Sequence, residues 1–118
     1  MIRKGEDRIV ERHEHKFGAD GFITVTNLTN SNEELNNKGR VFAHTILLPG
    51  CGIGYHVHNN ESELYYILKG SGEFNDNGTI TKVDAGDFTI TPSGSGHALK
   101  NTGNEPLEII ALILFSWA

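Results

Sequence analysis

Four side chains in this sequence have the types and spacing of a metal-ligand set: His56, His58, Glu63 and His97. An extended strand turns successive side chains to opposite faces. His56 and His58, with only Val57 between them, therefore point the same way, about 6.6–7 Å apart along the chain. Two imidazoles so placed can converge on one ion. Glu63 follows the short polar segment 59–62, a turn that lets the carboxylate return on the neighbouring strand with Tyr65 and Ile67 on its face. Farther along, Pro92 and Gly94 supply a turn that presents His97 at the head of another strand. Three neutral imidazoles and one carboxylate suit a divalent transition metal. A five- or six-coordinate ion would keep positions open for a further ligand.

Short strands must hold these groups. Runs rich in Ile, Val, Thr, Phe and Tyr alternate with Gly, Asn, Asp and Pro punctuation, and the spacing predicts strands over 22–26, 41–48, 55–57, 64–68, 73–74, 79–83, 88–91, 98–101 and 107–115. Asn77-Gly78 suits a tight hairpin turn that needs positive φ. Ser31 and Glu34 match a capping box, which predicts a helical turn over 32–35. Many short strands at close spacing predict an all-β fold, a closed antiparallel sandwich or barrel. The last strand is apolar at nearly every position, so both of its faces need cover. A barrel wall on one side and a partner subunit on the other would supply it.

The residues around the four ligand candidates form two clusters. The first is Gly50, His56, His58, Glu63 and Gly70; the second, after residues 71–85, is Gly86, Pro92, Gly94, His97 and Asn101. In order and spacing they resemble the paired signatures of the cupin family. The runs Ile53-Gly54-Tyr55-His56 and Tyr65-Tyr66-Ile67-Leu68, with 74–78 and 91–104, are similar to small single-domain bacterial cupins of the oxalate-decarboxylase-like and mannose-6-phosphate-isomerase-like kind. The resemblance implies a double-stranded β-helix, or jelly-roll barrel, and one divalent ion (Mn, Fe, Ni or Zn) per chain on His56, His58, Glu63 and His97. Oxalate decarboxylases carry an arginine where this chain has Ile53, and a lid glutamate that the acidic run 31–34 does not match in position. No basic cluster is placed for a sugar phosphate. These departures leave carboxylate binding standing and count against decarboxylation.

A 2+ ion with one glutamate leaves the site near +1, which suits a small carboxylate or sugar acid held through the open positions. Three functional readings follow: a metal-dependent enzyme acting on such an acid, an Fe(II) dioxygenase, and a non-catalytic protein that binds or senses a small anion. In the first, Tyr65 or His44 would handle a proton. Tyr65 shares the face of Glu63. His44 shares a strand face with Arg40, Phe42, Ile46 and Leu48, and strand parity alone leaves open whether that face lines the pocket or looks outward. Phe88, Ile90, Leu99 and Phe115 read as core, and Cys51 as structural. His13 and His15 lie in a charged segment that reads as a solvated N-terminal arm over 1–20.

The chain of 118 residues reads as a single domain, with the barrel expected over 41–117 and the two signatures at 50–70 and 86–101. A net charge of −5 with scattered Lys and Arg argues against nucleic acid or an anionic membrane surface as partner. The longest apolar stretch, 107–117, is far short of the ~20 residues that a membrane span needs. One cysteine and no apolar leader-like run over 1–16 predict a reduced, cytoplasmic setting. A homodimer is the expected assembly.

Overall fold

The computed structural model describes residues 1–116; Trp117, the last position of the expected barrel, lies outside them. Ten strands run in the order β1 (Val10–Glu14), β2 (Phe22–Asn27), β3 (Gly39–Leu47), β4 (Gly52–Val57), β5 (Glu61–Lys69), β6 (Ser71–Asp76), β7 (Thr79–Asp84), β8 (Phe88–Thr91), β9 (Gly96–Lys100) and β10 (Leu107–Phe115). They form a six-stranded sheet, β1-β2-β3-β10-β5-β8, and a four-stranded sheet, β4-β9-β6-β7. All the pairings are antiparallel. This is the expected all-β jelly roll.

Alternation decides which side chains lie between the sheets. On β10, Leu107, Ile109, Ala111 and Ile113 are buried, while Glu108, Ile110, Leu112 and Leu114 take the other face. Leu107, Ile109 and Ala111 meet Leu47 of β3 and Tyr65 and Ile67 of β5 in one apolar cluster. Ile53, Phe74, Val83 and Leu99 of the smaller sheet close that cluster from the opposite side. Removing a side chain such as Leu47, Ile67 or Leu107 from water stabilises the fold by roughly 1.5–3 kcal/mol each. At the end of β9 the buried Asn101 donates to the carbonyls of Leu47 and Glu105 at 2.8 Å and accepts from Gly103 N–H at 2.9 Å, fixing the smaller sheet to β3.

Several expectations change in the folded chain. His44 faces outward from β3 and pairs with Glu108 at 2.9 Å, so the outward alternative holds and Val41, Ala43 and Thr45 are the inward set. Phe88 and Ile90 are not core: they are 56% and 55% exposed, because β8 turns Thr91 inward and so commits its even positions to the outer face. The charged N-terminal segment is not a free arm, since Val10–Glu14 pairs with β2 as an edge strand. A 3-10 turn forms at Asn32–Leu35 without the Ser31 cap; Glu34 instead accepts from Asn30 N–H at 2.8 Å and pairs with Arg3. The hairpin at 77–78 forms as expected, with φ of 50° at Asn77 and 106° at Gly78.

Candidate metal centre

The pairing of β4 with β9 sets His56 directly opposite His97, and β5 brings Glu63 to them from the other sheet. His58 lies just past β4, held by its own N–H to Ser95 O at 3.2 Å and by Gly94 N–H to its carbonyl at 2.7 Å. The Nε2 atom of His97 is 3.1 Å from Nε2 of His58 and 3.1 Å from Nε2 of His56. Glu63 Oε1 is 3.0 Å from Nε2 of both His58 and His97. All four donor atoms lie within 4.8 Å of one another, so the structure brings together the four residues that the spacing singled out. Donors about 3 Å apart match ligands set at right angles on an ion with bonds of about 2.1 Å.

The outer ring nitrogens decide which tautomer each histidine takes. His56 Nδ1 lies 2.7 Å from the carbonyl of Gly54, which can only accept, so Nδ1 carries the proton. His58 Nδ1 faces the Glu61 carboxylate at 3.4 Å, and Arg40 holds that carboxylate with two bonds of 2.6 and 2.9 Å. His97 Nδ1 lies 2.8 Å from the hydroxyl of fully buried Thr91, which can accept from it. With an ion at the common point, each ring protonated on Nδ1 would direct its Nε2 lone pair at it, which is the arrangement that metal-binding histidines need.

Charge at the cluster is strongly coupled. Burial pushes the Glu63 carboxyl up, but hydrogen bonds from His58 and His97 and the charge of those rings override it and hold the group at about 2. His58 is raised, first by its bond to Glu63. His56 is lowered, chiefly by burial. Protonation of His58 at Nε2, which Glu63 favours, thus competes with a cation for the same place. Tyr65 is buried and stacks on the His97 ring, with centroids 5.0 Å apart and planes at 20°. Burial, then the adjacent Glu63 carboxylate, pushes its phenol well up, so it stays a donor.

A β-bulge shapes this wall. Ile53 pairs with Leu99 but His56 pairs with His97, so β4 spends one extra residue near Gly54 and Tyr55. The bulge lets both Ile53 and His56 face inward despite their odd spacing, and it turns the Gly54 carbonyl onto His56. At Gly54 a Cβ would run into the carbonyl oxygen of Phe17. That close approach seats the turn Lys16–Gly18 against β4, where the Phe17 ring stacks on His56 with centroids 3.9 Å apart. Nothing in the spacing of His56, His58, Glu63 and His97 marks Phe17, Thr91, Glu61 or Gly54, because their roles depend on which strands become neighbours.

The cluster opens on a cavity of about 230 Å³ between the sheets. His56, His58, Glu63 and Tyr65 line it together with Val25, Val41, Ala43, Ala111 and Ile113 of the six-stranded sheet, and Glu11, His13, Lys16 and Asn27 add polar groups to the lining. Arg40 reaches the wall but is engaged by Glu61, and His44 is absent from the lining. Cys51 is buried, its sulfur filling the place that a side chain on Gly21 would take, and it is absent from the cavity lining.

Residues 43–113 match the family model of the cupin domain, and the chain belongs to the cupin family. It is 40% identical over 114 residues to a Thermotoga maritima protein named oxalate-binding protein, covering 97% of this chain and 93% of that one. A crystal structure from the same organism, described as a predicted oxalate decarboxylase, superposes with a TM-score of 0.92 at 40% identity over 98% of this chain and 99% of the other. A Bacteroides fragilis cupin shares the fold, with a TM-score of 0.67 at 20% identity over 80% of this chain and 78% of that one. Among the described residues no helix is long and apolar enough to cross a membrane.

Proposed function

We propose that this chain binds one divalent transition-metal ion through His56, His58, Glu63 and His97 and uses it to hold a small carboxylate. The observation that carries the reading is the convergence of three Nε2 atoms and one carboxylate oxygen within 4.8 Å, with the Nδ1 of each ring facing an acceptor. A bound 2+ ion supplies Lewis acidity and a net charge near +1 in a low-dielectric pocket, which attracts an anion. Tyr65, kept protonated, offers its hydroxyl at the same wall. Binding rather than turnover is favoured, because His44, one of the two candidate proton carriers, points away from the cluster. The name of the Thermotoga maritima relative agrees with it.

The assembly we propose is a dimer through the outer face of the six-stranded sheet. Two cross-strand rows lie there, Phe42-Leu112-Leu64-Ile90 and His44-Ile110-Tyr66-Phe88. A monomer would leave this band of large apolar side chains in water, and such patches mark association surfaces.

Elemental analysis beside calorimetric titration with oxalate tests the site. The wild type is expected to hold close to one ion per chain and to bind oxalate only when loaded. The double variant His56→Ala/His97→Ala should do neither. A wild type that takes up no metal after reconstitution, or oxalate binding that survives in the double variant, would overturn the reading.

A further inference from the structure

We infer that the acid this pocket is built for is a monocarboxylate carrying a short hydrocarbon chain, a 2-oxo or 2-hydroxy acid, and not the bare oxalate dianion. The inference rests on the reading above, that a carboxylate is held at the metal cluster. Three features of the cavity carry it.

The first is charge. One 2+ ion and the Glu63 carboxylate leave a single positive charge to offset. A dianion needs a second cation, and the charge of the two Lys and Arg side chains that reach the cavity is already met: Arg40 makes two bonds to Glu61, and Lys16, which donates to His13 Nδ1 at 3.0 Å, shares the cavity with the Glu11 carboxylate. Glu11 is kept ionised chiefly by the hydrogen bond from Asn27 at 2.6 Å and so offsets Lys16.

The second is the chemistry of the walls. Beyond the cluster the cross-strand row that starts at Glu63 continues as Ile113 and Val41, and the row that starts at Tyr65 continues as Ala111 and Ala43. Val25 and Ile53 add to this apolar surface, while Glu11, His13, Lys16, Asn27 and Thr45 put polar groups elsewhere on the lining. Neighbouring strands are about 4.8 Å apart, so these rows extend about 10 Å from the cluster. Carboxylate oxygens of a second carboxyl group would face hydrocarbon there and lose their hydration without replacement. A methylene chain in the same place would gain.

The third is size. A hydrocarbon-lined cavity of about 150 Å³ holds benzene, so by the same measure 230 Å³ takes about nine non-hydrogen atoms. Oxalate has two carbons and four oxygens. A 2-oxo acid keeps the same pair of chelating oxygens, one from the carboxylate and one from the neighbouring carbon, and replaces the rest of oxalate with a chain that fills the apolar end.

The test is calorimetry on the Mn(II)-loaded protein with oxalate and the series pyruvate, 2-oxobutyrate, 2-oxopentanoate and 2-oxohexanoate. Each added methylene is expected to tighten binding, by up to about fourfold if fully buried. Val25→Phe, which fills the apolar end without touching the cluster, should abolish the gain of the longer acids and leave pyruvate and oxalate within twofold of wild type. Val41→Phe provides the same readout if Val25→Phe folds poorly, and the wild-type series stands without either. Oxalate binding with no dependence on chain length would overturn this inference and leave the carboxylate reading intact. Failure of the loaded protein to bind oxalate or any member of the series would overturn both.

Discussion

The hydrogen bond between Thr91 and His97 offers a sharp test of how the cluster is organised. Thr91→Val replaces the hydroxyl with a methyl of nearly the same shape at a fully buried position, so packing is retained and only the acceptor for His97 Nδ1 is lost. A buried donor left without a partner costs about 1–3 kcal/mol. The ring can avoid that cost by moving its proton to Nε2, where Glu63 Oε1 lies 3.0 Å away and can accept. That tautomer has no lone pair for an ion. The metal-free protein should therefore lose little stability, while metal affinity falls about 10–100-fold, the range seen when such outer partners are removed. At 1.4 kcal/mol per factor of ten this is about 1.4–2.8 kcal/mol, in line with the cost of the orphaned donor. Competition against a chelator of known affinity measures the first effect, thermal denaturation of the metal-free protein the second, and Thr91→Ser should restore both. An affinity within twofold of wild type in Thr91→Val would refute the idea that this hydroxyl sets the His97 tautomer.

Other outcomes follow from the same structure. His44→Ala should leave metal and oxalate affinity unchanged within twofold, since its ring meets Glu108 on the outer face; a large loss in the calorimetric titration would contradict that placement. Asn101→Ala removes a buried side chain that makes three hydrogen bonds and should destabilise the fold by about 3 kcal/mol, read from the shift in urea midpoint. Ile90→Glu puts a charge into the exposed apolar row and should give monomers in sedimentation at micromolar concentration, whereas an unchanged dimer would place the interface elsewhere. Metal binding needs neutral imidazoles, and Glu63 raises His58 above its usual value of 6.5. The proton on His58 therefore competes with the ion from above pH 6.5 downward, and affinity should fall with a limiting slope of about one decade per pH unit for each proton displaced. A titration flat between pH 8 and pH 5 would exclude these histidines as ligands.

Much of the site was legible before folding because its signals are local. His56 and His58 share a face through strand alternation, and Glu63, Tyr65 and Ile67 share theirs for the same reason. The turn at 77–78 is written in the backbone freedom of Asn and Gly, and the strands 88–91 and 107–115 in runs of β-formers between breakers. Alternation fixes which residues go together but not which face turns inward. That choice left His44 open and misplaced Phe88 and Ile90, and it was made only when β10 paired with β3 on one side and β5 on the other. The bulge at Gly54, the Phe17 ring on His56, the Thr91 hydroxyl behind His97 and the apolar end of the cavity all join residues distant in sequence. Ligand types, their spacing and the β character of the chain depend on neighbours a few residues away, so they can be read from the residues alone. Which ring nitrogen faces the common point, and what lines the space beyond it, depend instead on side chains that long-range strand pairing brings into contact.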